Sequence, residues 1–328
     1  PSERLLEAYE ARLAPMVWEG TAEHPEGTPV DPERFSDQDL TEREASYGRS
    51  GFQLQFMLDT TLSDLERYPL KLNDCIVLSG VESWKEAPAK IQWASGTDQI
   101  KAIDSELPNV GLKGDYWVAP MYTSPEYTKF EGSVMSIDPS GRGADRTGYA
   151  VVKMLHGVLY LTDCGALEGG YSDITLERLA TIAKQQDVNQ VIIESNFGDG
   201  MYTKLLTPVM NTVHKVMIEE LRHSQQKEKR IIDTIEPVVA RHKLVIDPRV
   251  VEEDYQSAQK YDQAVRLSKQ LIYQMTRVTY ERGALRHDDR LDALSMAVGY
   301  WVEQMARDES FGIAEERELS LIHISEPT

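Results

Sequence analysis

Three places in the chain put carboxylates where they could do chemistry. Asp138 closes an apolar run and opens a turn of Pro139, Ser140, Gly141, Arg142, Gly143 and Ala144. Glu194 closes a second apolar run, VIIE, and leads into Ser195, Asn196, Phe197, Gly198, Asp199 and Gly200. A carboxylate at a strand end, facing a glycine-bearing loop, stands where α/β folds bind ligands. The third place is HDDRLDA at 287–293, where Asp288, Asp289 and Asp292 put three acids within five residues. Acids three or four apart share a helix face. Carboxylates that converge in a cleft repel one another and raise each other's pKa values. Divalent cations relieve that repulsion, and hard oxygen donors select Mg²⁺ or Mn²⁺. Two such ions support phosphodiester hydrolysis by activating a water and stabilising the leaving oxygen. Each acid also has a plainer use. Asp138 suits a turn cap, Glu194 an exposed sheet edge, and the aspartates a capped helix start. A helix start needs one acid, and three exceed that need. Asp145 and Asp199 read as loop acids.

The surrounding pattern predicts the elements that must position these groups. Residues 132–137, 148–155 and 158–164 read as three strands, the first ending on Asp138, with His156 and Gly157 as the turn between the last two. Residues 174–185 form an amphipathic helix with Leu176, Leu179, Ile182 and Ala183 on one face. A strand at 188–194, a helix at 201–210 and a strand at 216–219 follow. Further helices are expected at 230–240, 265–274 and 289–305, the last with Leu291, Leu294, Val298 and Trp301 on its apolar side. Upstream, a helix at 2–13 precedes a loop at 19–34, a charged helix at 39–47 and an apolar run at 52–58. Residues 76–78 and 115–121 read as short strands. Antiparallel hairpins followed by crossovers give an α/β fold with a mixed sheet flanked by helices, preceded by a small α-rich segment. Asp138 and Glu194 then lie close together at neighbouring strand ends.

Composition bounds the partners. The net charge is −19, from 35 Lys and Arg against 54 Asp and Glu, which excludes a surface that binds nucleic acid everywhere. Any such contact is local. The stretch 222–243 is basic and holds Lys227, Lys229 and Arg230, the expected DNA-contacting residues. With only Cys75 and Cys164, neither a disulfide framework nor a cysteine zinc site is expected. No apolar run is long enough for a membrane span and no signal peptide is visible, so a soluble, unsecreted protein without membrane contact is expected.

Taken in order, four segments resemble the large terminase subunit of short-tailed double-stranded DNA phages. They are VMSIDPSGRGADRTGYAVV at 134–152, VIIESNFGDG at 191–200, KEKRIIDTIEPVV at 227–239 and HDDRLDALSMAV at 287–298. An upstream piece, REASYGRSGFQLQFML at 43–58, resembles the end of that family's ATPase domain and its linker. The resemblance implies a ribonuclease H-like nuclease domain that cuts concatemeric double-stranded DNA with two metal ions. It makes Asp138 and Glu194 ligands, with Asp288 or Asp289 as the third and Asp292 as a further one. Asp289 is preferred as catalytic, because its D-x-x-D spacing with Asp292 is similar to that of resolvases. Portal protein and small terminase subunit are the implied partners of the full-length protein, and the host cytoplasm its place of work.

The division expected is 1–70 as remnant of an ATPase domain and linker, 71–310 as nuclease domain, and 311–328 as tail. Within the tail, LSLIHISEPT at 319–328 resembles the translation of a sequencing adapter and is expected to be an artefact. The first residue is Pro1, and no G-x-x-x-x-G-K-[ST] phosphate loop occurs, so a fragment without ATPase activity is expected. Other ribonuclease H-like DNA enzymes, such as junction resolvases or transposases, would use the same acids. An actin-like phosphotransfer ATPase would use Asp138 but leave the HDDRLD helix unexplained. A capsid-assembly adaptor would leave all the acids inert.

Overall fold

The structure is a computed structural model and describes residues 29–57, 67–78, 85–93, 101–102, 107–140, 146–195 and 200–324, with side chains within 37–54 described only in part and none beyond 307. The expected helix at 2–13, most of the loop at 19–34, Asp145 and Asp199 lie outside these residues. Two compact units occur, one ending at Pro69 and taking in Leu112–Gly114, the other spanning Leu70–Gly111 and Asp115–Thr328.

The first unit is built on α1, Asp37–Phe56, one helix through both the charged stretch and the apolar run. Ser36 caps it: its hydroxyl accepts from the Asp39 amide while the Asp39 carboxylate accepts from the Ser36 amide. Phe52 stacks on Phe56 at 5.1 Å, and Arg43 lies over the Phe35 ring at 4.9 Å.

In the second unit the strands are β1 Ile76–Val77, β2 Glu86–Pro88, β3 Ile91–Gln92, β4 Lys101–Ala102, β5 Val118–Ala119, β6 Tyr122–Thr123 and β7 Tyr127–Lys129, then β8 Gly132–Asp138, β9 Thr147–Leu155, β10 Val158–Leu167, β11 Gln190–Glu194, β12 Met217–Leu221 and β13 Leu244–Ile246. The helices are α2 Asp173–Gln185, α3 Met201–Val213, α4 Lys227–Val239, α5 Pro248–Ala258, α6 Gln263–Arg266, α7 Leu271–Arg277 and α8 Asp289–Ile324. Nine strands form one sheet in the order β12-β11-β8-β9-β10-β13-β1-β5-β4. β8, β9 and β10 are antiparallel neighbours, and β11 and β12 add in parallel on the β8 side. This is the ribonuclease H-like mixed sheet, extended beyond β10 by β13, β1, β5 and β4.

Local chemistry explains the boundaries. His156 at φ 50° and Gly157 at φ 70° both take the left-handed conformation that a two-residue hairpin with the right twist requires. The strand expected at 115–121 is shortened to β5 at 118–119, because Pro120 has no amide to give a ladder, and β6 begins only at Tyr122. The helix expected at 265–274 is likewise broken. Gln270 is extended, and α7 starts afresh with the Leu271 and Ile272 amides donating to the Asp254 carboxylate at 2.7 and 3.2 Å. The strand β13 and the helix α5 were not expected. α8 continues past the expected end at 305 to Ile324.

Side chains alternate across the central strands. Met135, Ile137, Val191 and Ile193 pack on one face with Leu176, Leu179 and Leu206 of α2 and α3. Val134 and Ile192 face the other way, into a core with Ile231, Ile235, Leu291, Leu294 and Val298 of α4 and α8. Each fully buried Leu or Ile there contributes about 2 kcal/mol. The same alternation turns Asp138 and Glu194 to the α4–α8 side.

Candidate functional site

Asp138 and Glu194 are the last residues of β8 and β11, adjacent parallel strands in which Ile137 pairs with Ile193. α8 crosses above them. Its packing is close: the Ser136 hydroxyl donates to the Ala293 carbonyl at 2.5 Å, and the Trp301 indole to the Val152 carbonyl at 3.0 Å. This seats Asp292, which is fully buried, over the strand ends. Asp138, Glu194 and Asp292 each offer a carboxylate oxygen, and the three oxygens lie within 4.8 Å of one another.

Asp289 is not brought to this cluster. Its carboxylate ion-pairs with Arg146 at 2.9 Å and accepts from the Gln274 amide at 3.0 Å. Of the three acids on the expected helix, where Asp289 is preferred over Asp288 as the third ligand and Asp292 is a further one, Asp292 is the one that joins Asp138 and Glu194. The cause lies in α7 and α5. Gln274 also accepts from the Leu291 amide at 3.1 Å, and the buried Arg290 ion-pairs with the buried Asp254. These contacts set the rotation of α8, turning Asp289 aside and Asp292 inward. Asp288 stands at the rim, where its carbonyl accepts from the Asp292 amide at 2.8 Å and its carboxylate meets Lys227 at 3.1 Å.

Among the described residues, two cations share the site. Lys227 Nζ lies 2.8 Å from Asp292, 3.1 Å from Asp288 and 3.8 Å from Asp138. Arg230 Nη2 lies 2.6 Å from Asp292 and 3.8 Å from Glu194. Of the three basic residues expected to contact DNA, Lys227 and Arg230 are thus ion-paired to the acids. Lys227 and Arg230 belong to the first turn of α4, which starts three residues before the helix expected at 230–240, and face the acids. Lys229 on the same turn is exposed. That α4 reaches the acids was missed, although KEKR opening an amphipathic helix offered a signal.

The electrostatics follow from burial and crowding. Burial pushes the Asp138 carboxyl well above its ordinary value, and the Asp292 charge pushes it further. The same two causes raise Glu194. Burial raises Asp288 against the pull of Lys227. Burial works against the Lys227 charge, but Asp292, Asp138 and Asp288 outweigh it and hold the ammonium strongly protonated. Among the described residues, four carboxylates against two cations leave a formal excess of two negative charges, which one divalent cation would offset. The donor set, all hard oxygens with Lys227 already drawn among them, fits Mg²⁺ or Mn²⁺.

Residues 137–244 match a family model described as Terminase Bacteriophage T7, Ribonuclease H-like domain. That span includes Asp138 and Glu194 and ends before Asp292. The chain is 46% identical over 303 residues to the large terminase subunit of Enterobacteria phage T3, a match covering 92% of this chain and 51% of that protein. The chain thus spans about half the length of that curated relative. Among solved structures, the nuclease domain of the large terminase subunit gp2 of bacterial virus Sf6 aligns at 12% identity and a TM-score of 0.36, covering 52% of this chain and 89% of that one. The large terminase nuclease from thermophilic phage G20c aligns at 11% and 0.36, over 70% and 97%. At such scores neither adds to the assignment. On the family model and the curated relative, residues 137–244 match a terminase ribonuclease H-like domain, and the chain resembles the large terminase subunit of short-tailed double-stranded DNA phages.

Proposed function

We propose that this domain is an endonuclease that hydrolyses phosphodiester bonds of double-stranded DNA and depends on Mg²⁺ or Mn²⁺. The observation that carries the proposal is the convergence of Asp138, Glu194 and Asp292 from two strand ends and one helix. Asp138, Glu194 and Asp292 would hold the cations, with Asp288 at the rim. Two ions, the second entering with the negative charge of the scissile phosphate, would supply Lewis acidity for the attacking water and the leaving oxygen. The protein's own part is to hold the carboxylates. Strands β8 and β11 fix two of them, α8 fixes the third, and Gln274 and the Asp254–Arg290 pair fix α8. Lys227 and Arg230 neutralise part of the acid charge, so the cluster is tolerated in a buried setting. Lys229 is the candidate contact for a DNA backbone phosphate.

In the setting of a full-length terminase, the substrate would be concatemeric DNA in the host cytoplasm, with portal protein and small terminase subunit as partners. No helix among the described residues is long and apolar enough to cross a membrane. A plasmid-nicking assay in Mn²⁺, with and without Asp138→Asn, tests the reading: nicking by the wild type and none by the variant is expected. Equal nicking by both would overturn it.

A further inference from the structure

At the other end of β8 from Asp138, about 20 Å away along the strand, lies a polar cavity of about 440 Å³. Its walls bring together residues that are remote in sequence: Lys85, Lys129 of β7, Ser133 of β8, Lys153 of β9, Lys184 of α2, and Asp187. Four lysines against one carboxylate is a concentrated positive charge in a chain whose net charge is −19.

Two of these residues are built into the fold. Lys153 is 4% exposed, sits opposite Ser133 in the β8–β9 ladder, and lies 5.4 Å over the Phe130 ring. Ser133 is also 4% exposed, and its hydroxyl has no hydrogen-bond partner. A buried hydroxyl without a partner is costly, and the neighbouring Lys85 charge adds repulsion at Lys153. Burial, together with Lys85 and against the pull of Asp187, brings Lys153 down to about 8. All of these costs are relieved by one kind of ligand, an anion with several acceptor oxygens.

We propose that this cavity is a binding site for a phosphate group, separate from the carboxylate cluster. Lys153 and Ser133 form its floor and donate to the phosphate oxygens. Lys85, Lys129 and Lys184 form its rim, and among the described lining residues Asp187 is the group that opposes binding. The volume exceeds what a bare phosphate fills and suits a phosphate ester. The ester is a nucleotide or the backbone of a nucleic acid, which share this chemistry.

The test is calorimetric titration of the whole chain in EDTA, so that no cation bridges phosphate to the carboxylates. Inorganic phosphate, ATP and a short blunt DNA duplex are titrated in turn. Saturable phosphate binding is expected, weakened at least tenfold by Lys153→Gln. Because Lys153 is buried, the exposed pair Lys129→Ala and Lys184→Ala is the second probe, expected to weaken binding severalfold with the melting temperature unchanged. Asp187→Asn should tighten it. Displacement of phosphate by the duplex assigns the site to a nucleic-acid backbone. Tighter binding of ATP without displacement by the duplex assigns it to a nucleotide. No saturable binding, or binding indifferent to all three sets of variants, overturns the proposal.

Discussion

Gly148 of β9 lies directly under the first turn of α8, where a Cβ would run into the carbonyl of Asp289. Gly148 also pairs with Asp138 across the β8–β9 ladder. The bare glycine therefore lets the helix that carries Asp292 come down beside the strand that carries Asp138. The obstacle is backbone, which cannot rotate away. Gly148→Ala should lift the start of α8, cost about 1–3 kcal/mol, and lower DNA cleavage at least tenfold. Denaturant unfolding and nicking rates check this. A variant that cuts at the wild-type rate would show that the close approach is unimportant.

Asp289 and Asp292 should separate cleanly by what they break. Asp292→Asn should abolish cleavage and the stabilisation that Mn²⁺ confers on the wild type in thermal melts. Asp289→Asn leaves Arg146, whose side chain is 3% exposed, without its charged partner. It should cost about 3 kcal/mol while the folded variant still binds Mn²⁺. The opposite pattern, metal response lost at 289 and kept at 292, would reverse the assignment.

Lys229 is the exposed member of the basic turn, whereas Lys227 and Arg230 are ion-paired to the acids. Lys229→Ala should weaken duplex binding uniformly across sequences and reduce the slope of log K against log salt by about 1. The binding measurement belongs in Ca²⁺, which is expected to hold the DNA uncut. An unchanged slope would remove Lys229 from the interface.

Asp163 offers a pH test away from the site. Burial raises its carboxyl to about 6, although the Tyr149 hydroxyl and the Gln186 amide donate to it at 3.1 and 3.3 Å. A carboxyl raised on folding adds stability that is fully present below the ordinary value of 3.8 and lost as pH rises through about 6. Asp163→Asn should escape this loss, so its stability relative to wild type should rise by about 3 kcal/mol between pH 4 and pH 8. Denaturant midpoints at the two pH values measure it. A difference independent of pH would mean that Asp163 does not titrate there.

The sequence makes the strand-borne acids plain and the helix-borne one ambiguous, for a physical reason. A strand's period of two and its terminal turn say which residue ends the strand and on which face. That is enough to find Asp138 and Glu194 and to place them side by side. The rotation of α8 about its axis is set by Gln274, Asp254 and Arg146, which lie 15 or more residues away and carry no local signal. Without them, Asp288, Asp289 and Asp292 look nearly alike. The same holds for Lys227, whose basic neighbours suggest an open patch until α4 is seen packed against α8. Of the short strands that extend the sheet, β1 and β5 fall within the apolar runs 76–78 and 115–121, whereas β13 and β4, of three and two residues, are too short for any periodicity to register. The lysine cavity is assembled from four separate segments and has no motif at all.

The central claim is that Asp138, Glu194 and Asp292 together hold the cations that cleave DNA. Its most direct test is supercoiled-plasmid nicking by the wild type, Asp138→Asn, Glu194→Gln and Asp292→Asn, each shown folded by circular dichroism. Mn²⁺ is titrated from none, in EDTA, to millimolar levels. The account predicts no cutting in EDTA, cutting by the wild type as Mn²⁺ rises, and at least a hundredfold loss in each variant. Metal-independent cutting, or near-wild-type rates in folded variants at all three positions, would contradict it.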